Sequence, residues 1–272
     1  MIRLSSQRLD VFGWGILLFL IFFIVLPVLT VFLWAFAEQW FYPAVLPTKW
    51  GFRFWSLVLA RPDVWAALMT SIELSLTVTA LSAVICLPAA YAFARMDFPG
   101  KSTFMLSFLM ANAFPRFALI ISIAVLFLSL DLVGTFTGVV IIQLLNTLLL
   151  MIWLPTAAFK AVSREMEEAA RDVGASAWQV FRYVTLPQAF PTIAAALLMT
   201  FVWTFYETEG AWLVGAPRIR TMPLLMMQMI NNQLVVQYGA VLSVMLWVPS
   251  LAAILMARRI IGGDTFAKGL GG

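Results

Sequence analysis

The stretch REMEEAARDVGASAWQVFRYVTLPQAFP, residues 164–191, decides how the rest of the chain is read. It is the longest block rich in charge and small residues in a sequence that is 63% hydrophobic and 11% charged. On either side lie apolar runs long enough to cross a bilayer, which takes roughly 20 residues of helix. Helix formers from Met166 to Arg171 precede Gly174, and Trp178, Val180 and Phe181 open a second short amphipathic piece that stops at Leu186-Pro187. The pattern predicts a helix–turn–helix on the membrane surface. Glycine permits the sharp turn, Ala169 and Ala170 admit close approach of another surface, and Glu167 and Glu168 offer it charge. Pro187 suits the first turn of a helix that restarts there. A partnerless amphipathic loop is the alternative that composition leaves open.

Working outward, a chain of 272 residues with 11 Trp, 23 Phe and a mean hydropathy of +0.97 falls outside the soluble globular class. Its apolar runs do not alternate with polar residues as barrel strands do, so an all-α membrane protein is expected. Cys86 is the only cysteine and there is no histidine. That excludes an intramolecular disulfide, the usual zinc and haem ligand sets, and any Ser-His-Asp or Cys-His catalytic group. No metal site and no catalytic residue is expected. The net charge of +4 reads as an orientation signal, because the basic residues lie between spans; no nucleic acid partner is implied.

Six transmembrane helices are expected, over 11–34, 64–94, 103–128, 136–159, 190–213 and 239–257. The first could be a cleaved leader ending at Ala35-Phe36-Ala37, but it is longer than a leader's apolar core and is read as a retained span. Residues 1–63 thus form one helix plus a Trp- and Tyr-rich segment along the outer interface. Residues 64–260 form a five-helix core with its polar loop at 164–187, and 261–272 form a tail. Arg3, Arg8, Arg95, Lys101, Lys160, Arg164, Arg171, Arg182, Arg258, Arg259 and Lys268 fall on one side. Only Lys49, Arg53, Arg61, Arg218 and Arg220 fall on the other. This bias predicts that both termini and the polar loop are cytoplasmic.

Glu168-Ala169-Ala170, then three residues to Gly174, nine more, Val184, and Leu186-Pro187 resemble the EAA loop of type I ABC importer permeases. Val184 in place of isoleucine is the one departure. The resemblance covers about Ala66 to Arg259, with Tyr91–Arg95 and Phe98-Pro99-Gly100 also similar to the family's second cytoplasmic turn. It implies a multi-pass subunit of a bacterial cell inner membrane, in contact with membrane lipid. Its partners would be an ABC ATPase subunit dimer, a second permease subunit that is a different chain, and a periplasmic solute-binding protein. Glu167, Glu168, Ala169, Ala170, Gly174, Leu186 and Pro187 would form the coupling element, with Glu168 meeting a basic ATPase residue. ATP and magnesium would belong to the ATPase; no cofactor is expected in this chain. Gly100-Lys101-Ser102 looks like the end of a phosphate-binding loop, but Arg95 stands where that motif needs glycine, and no strand precedes it.

Arg116 falls within an expected span, where a charge costs roughly 2.5–3.5 kcal/mol on insertion scales. It therefore lines a cavity, or marks a break at Pro115 near an interface. Asn146, Glu207 and Glu209 are further candidates for a solute pathway, although the two glutamates also suit a hydrated helix end. Gln143 reads as an interhelical hydrogen-bonder, and Gly134-x-x-x-Gly138 as no more than close packing. For the solute, Glu168–Ser176 and Leu213–Pro217 resemble the polyamine, phosphonate and ferric-iron branch, and a polyamine-like solute is favoured. A sugar or polyol permease is the alternative, and Arg258-Arg259 with the glycine-rich tail resembles that branch. A secondary transporter would need ionisable pairs at the midplane, and a membrane scaffold would bind without transporting.

Overall fold

The computed structural model describes residues 11–233 and 235–261; Arg3, Arg8, Lys268 and the tail beyond Ile261 lie outside the described residues. The chain divides into two compact units, Met1–Pro62 with Met226–Trp247, and Asp63–Leu225 with Val248–Gly272.

In the first unit, helix α1 (Val11–Ala35) carries exposed large apolar side chains around its whole circumference, Phe22, Phe23 and Ile24 among them. A helix that is apolar on every face has no stable place in water and suits lipid. Beyond it, β1 (Ala37–Gln39) pairs antiparallel with β2 (Lys49–Trp50), followed by the short α2 (Arg53–Leu59). This hairpin occupies the segment expected along the interface. Lys49 Nζ closes it on Glu38 Oε2 at 2.7 Å, and the Trp34 and Trp40 rings stack at 4.5 Å.

The second unit is built on α3 (Pro62–Arg95), α6 (Phe136–Ala161) and α9 (Leu186–Tyr206). Helix α3 opens with Pro62 and Asp63 and ends on Arg95, the order that the helix dipole favours. Its 34 residues exceed what the hydrocarbon core demands, so part of it projects or tilts. Small residues line its seam with α6 and α9: Ala90, Ala94, Ala158 and Ala189 pack around Phe159 and Ile193, and Ser82 Oγ meets Thr147 Oγ1 at 2.9 Å. Small side chains let helix backbones approach where lipid supplies no hydrophobic drive between them.

Where one span was expected over 103–128, two helices occur, α4 (Lys101–Ala113) and α5 (Arg116–Ser129). Pro115 forces the break by pushing Phe114 into an extended conformation (φ −80°, ψ 148°). Gly134 and Gly138 form no helix seam either. Gly134 lies in the loop before α6, and a Cβ on Gly138 would strike the Leu132 carbonyl.

The polar loop is helix–turn–helix, as expected: α7 (Arg164–Asp172), a turn through Gly174, and α8 (Ala177–Val180). The second piece does not stop at Leu186-Pro187. It runs through a wide π turn (Phe181–Thr185), in which the Leu186 N–H bonds the Phe181 carbonyl five residues back, directly into α9. Proline at the second position of α9 needs no hydrogen-bond acceptor, so the helical path continues. Helix α9 in turn ends at Tyr206, short of the expected 213, because Glu207 turns extended there.

The segment after it, read as an irregular return, contains a second π turn (Ala211–Gly215) and helix α10 (Met222–Gln233). Ser71 Oγ accepts the Met222 N–H at 2.8 Å and so fixes the start of α10. Helix α11 (Val236–Ile261) completes the chain. Among the described residues five helices are long and apolar enough to cross a membrane, α1, α3, α6 and most of α11 among them; the fifth runs from Ala177 to Tyr206. The broken pair α4–α5 covers the remaining expected span.

Candidate functional site

Two places in the second unit gather the chemistry. The first is the α7–α8 module. Ser163 caps α7 by accepting the Met166 N–H, and Ser176 and Gln179 form a reciprocal capping box at α8. Such caps hold short helices that would not persist alone. Gly174 adopts φ +90°, and a Cβ there would meet nothing within 4 Å of this chain, so the turn alone demands glycine. Ala170, Gly174, Ala175, Val180 and Tyr183 line a depression of about 370 Å³. Around it Val173, Trp178 and Tyr183 are exposed, as are Glu168 and Ala169.

Glu167 behaves differently from its neighbours. It was expected to offer charge outward, yet it is buried, with Oε1 accepting from Arg95 Nη2 at 2.8 Å and from Thr185 Oγ1 at 2.6 Å. Helical spacing explains this: Glu168 lies a 100° step further round the helix and takes the outward face. Leu186 is half-buried against the cluster of Phe159 and Ile193, while Pro187 is exposed.

The second place is a cavity of about 700 Å³. Arg116, Asn146, Glu207 and Glu209, all four pathway candidates, line it together with Trp203 and Tyr206. Arg116 begins α5 at the break and also lines the cavity. Its guanidinium carbon sits 4.5 Å from the Trp203 ring centroid. Glu207 is committed within the chain. Its carboxylate accepts the Gly210 N–H at 2.6 Å, the Ala211 N–H at 3.3 Å, and Gln143 Nε2 at 3.1 Å. Glu209 is exposed. Gln143 is fully buried and bridges α6 to the end of α9, whereas Asn146 one turn on faces the cavity.

Sequence reasoning missed Trp203 and Tyr206, which looked like two more aromatics in an apolar run. Their i, i+3 spacing ahead of Glu207 marks one helix face and was the available signal. Thr185 and the inward role of Arg95 were missed as well, because their pairing joins residues far apart in sequence.

A bundle of apolar helices around a largely apolar cavity that carries a few charged and polar groups, with a capped amphipathic module beside it, defines a polytopic membrane permease. The family described as binding-protein-dependent transport system inner membrane component matches residues 84–261, and the chain belongs to it. The maltose/maltodextrin transport system permease protein MalG of Yersinia pestis is 28% identical over 299 residues, spanning 100% of this chain and 97% of that protein. The molybdate/tungstate transport system permease protein WtpB of Thermococcus kodakarensis is 34% identical over 175 residues, 64% of this chain and 70% of that one. Among solved structures, a bacterial ABC transporter involved in the import of the acidic polysaccharide alginate superposes with a TM-score of 0.70. It shares 18% identity, over 94% of this chain and 98% of that chain.

The EAA-loop resemblance therefore holds. This is an inner-membrane permease subunit of an ABC importer, and it works with a solute-binding protein, ATPase subunits and a second permease subunit. ATP hydrolysis belongs to the ATPase chains.

Proposed function

We propose that this subunit imports a saccharide or a similarly hydroxyl-rich solute. The observation that carries the reading is the cavity in which Trp203 and Tyr206 stand beside Arg116, Asn146 and Glu209. Aromatic faces beside hydrogen-bonding groups of both signs suit a neutral or mildly acidic polyhydroxylated molecule. The relatives named for maltose/maltodextrin and for alginate support the same reading. The polyamine expectation lacks such support. A polyamine needs several free carboxylates, but the Glu207 carboxylate is occupied by two backbone N–H groups and Gln143, which leaves Glu209, and a guanidinium shares the cavity. The pathway role of Arg116, Asn146, Glu207 and Glu209 belongs to this proposal.

In the same reading the α7–α8 module lies in the cytosol as the coupling element. Glu168, Ala169, Ala170 and Gly174 face the ATPase, while Leu186 and Pro187 join the module to α9. Residues 64–260 act as the permease core, with 1–63 a peripheral helix and interfacial segment. The second permease subunit is a different chain.

The test is uptake into proteoliposomes holding the reconstituted complex and its binding protein, with labelled maltotriose, alginate oligosaccharide, spermidine and molybdate offered in turn. ATP-dependent accumulation of either saccharide is the expected result. Accumulation of spermidine or molybdate with neither saccharide would overturn the reading.

A further inference from the structure

The mode of attachment of α7 is unusual for a helix on a membrane protein. Its buried residue is a carboxylate, Glu167, and no apolar side chain of α7 is buried with it. What holds this helix to the bundle is thus a polar node. Glu167 Oε1 accepts from Arg95 Nη2, at the end of α3, and from Thr185 Oγ1, in the π turn that leads into α9. Arg95 Nη2 also donates to the Val162 carbonyl just beyond α6, at 2.9 Å. The two charged side chains retain only 10% and 6% of their exposure. Four segments therefore converge on one ion pair. Beside it, Tyr91 packs edge-on against both Phe159 and Phe181, at 5.3 and 5.2 Å.

Apolar contacts alone allow sliding, because dispersion and burial have little directional preference. A buried pair with directed hydrogen bonds fixes position and angle, and separating it strands a charge away from water. We propose that the Arg95–Glu167 pair is the pin through which displacement of the α7–α8 module is delivered to α3 and α9 as one rigid motion. Arg95 and Glu167 are positioning residues, and Thr185 locks the carboxylate in register. The proposal rests on the reading of α7–α8 as the coupling element and adds the route by which its motion leaves it.

The experiment uses the complete complex with its ATPase in nanodiscs, spin-labelled on this chain at Asp172 and Val84 in a Cys86→Ser background. The distance distribution is measured without nucleotide and with ATP and vanadate. The parent should keep one distribution in both conditions. Glu167→Gln and Thr185→Val should each give a distribution that shifts or broadens when nucleotide is added, with the ATPase still bound. Should Glu167→Gln fail to assemble, Thr185→Val, which keeps both charges and removes only the hydroxyl's bonds to Glu167 and to the Val180 carbonyl, decides alone. Nucleotide-independent distributions in the variants, or a parent whose separation already changes, would overturn the pin. Ala169→Asp keeps the two claims apart. Retention of the ATPase by that variant counts against the docking reading, whereas its loss, together with parent-like Glu167→Gln, counts against the pin alone.

Discussion

The guanidinium carbon of Arg116 lies 4.5 Å from the centroid of the Trp203 ring, across the gap between α5 and α9. Arg116 is the first residue of α5, where the helix dipole disfavours a cation. Among the described residues it forms no ion pair with a carboxylate, so the ring face and the cavity are what accommodate its charge. Both side chains are exposed, and a contact of this kind then contributes roughly 0.5–1 kcal/mol, about a two- to fivefold effect. Trp203→Ala should lower ATP-dependent uptake by about that factor, while Trp203→Phe retains most of it. Both variants should bind the ATPase normally, because α7–α8 is untouched. Proteoliposome uptake together with ATPase co-purification checks this.

Gly174 separates two reasons for a glycine. Its φ of +90° makes any side chain costly, and the open space around it means nothing within this chain would collide. A non-glycine residue in that region costs roughly 1–2 kcal/mol through the backbone alone. Gly174→Ala should weaken ATPase co-purification without abolishing it. Gly174→Asp adds bulk and charge toward the partner and should abolish both co-purification and transport, with membrane insertion unchanged. Equal effects of the two variants would mean that only the turn matters.

The β1–β2 hairpin gives a pH dependence with a definite sign. A hydrogen bond from Lys49 holds the Glu38 carboxyl below the usual carboxylate value, assisted by the Lys49 charge and the Arg53 N–H. A group whose value is depressed on folding contributes stability above its ordinary value and loses it as pH falls through the folded one. Protection of the Thr48 and Gly51 amides, which bond Gln39 and Phe36, should fall relative to the intrinsic exchange rate at each pH on acidification below the usual carboxylate range. Glu38→Gln should remove that dependence. The effect is small, since the Lys49 side chain of the pair is largely exposed.

The sequence made the spans and the polar module legible because both are carried by local composition. Apolar runs declare α1, α3 and α6, and the helix formers on either side of Gly174 declare the two pieces of the module, whereas the serines at 163 and 176 that cap them went unread. The break at Pro115 was legible only as an alternative, since a proline within a span either kinks it or ends it according to its neighbours. Helix α10 was obscured by Pro217, Arg218 and Pro223, and its start depends on a hydrogen bond to a serine 151 positions away. In the same way, Glu167 and Glu168 cannot be told apart by type. Which of them turns inward depends on Arg95, 72 residues earlier.

The α3–α6 seam allows two physical effects to be weighed against each other. Ser82 and Thr147 are both buried and share a hydrogen bond of 2.9 Å. In a bilayer such a bond contributes on average only about 0.6 kcal/mol. Thr147 also donates to the Leu144 carbonyl at 2.8 Å, so its hydroxyl stays satisfied if Ser82 is truncated. Ser82→Ala should therefore shift the thermal unfolding of the detergent-solubilised complex very little. Ser82→Leu meets a different limit, because overfilling a packed seam costs roughly 1–3 kcal/mol. That variant should unfold at a clearly lower temperature and transport poorly. If alanine proved as damaging as leucine, the hydrogen bond rather than the small volume would be what keeps these two helices together.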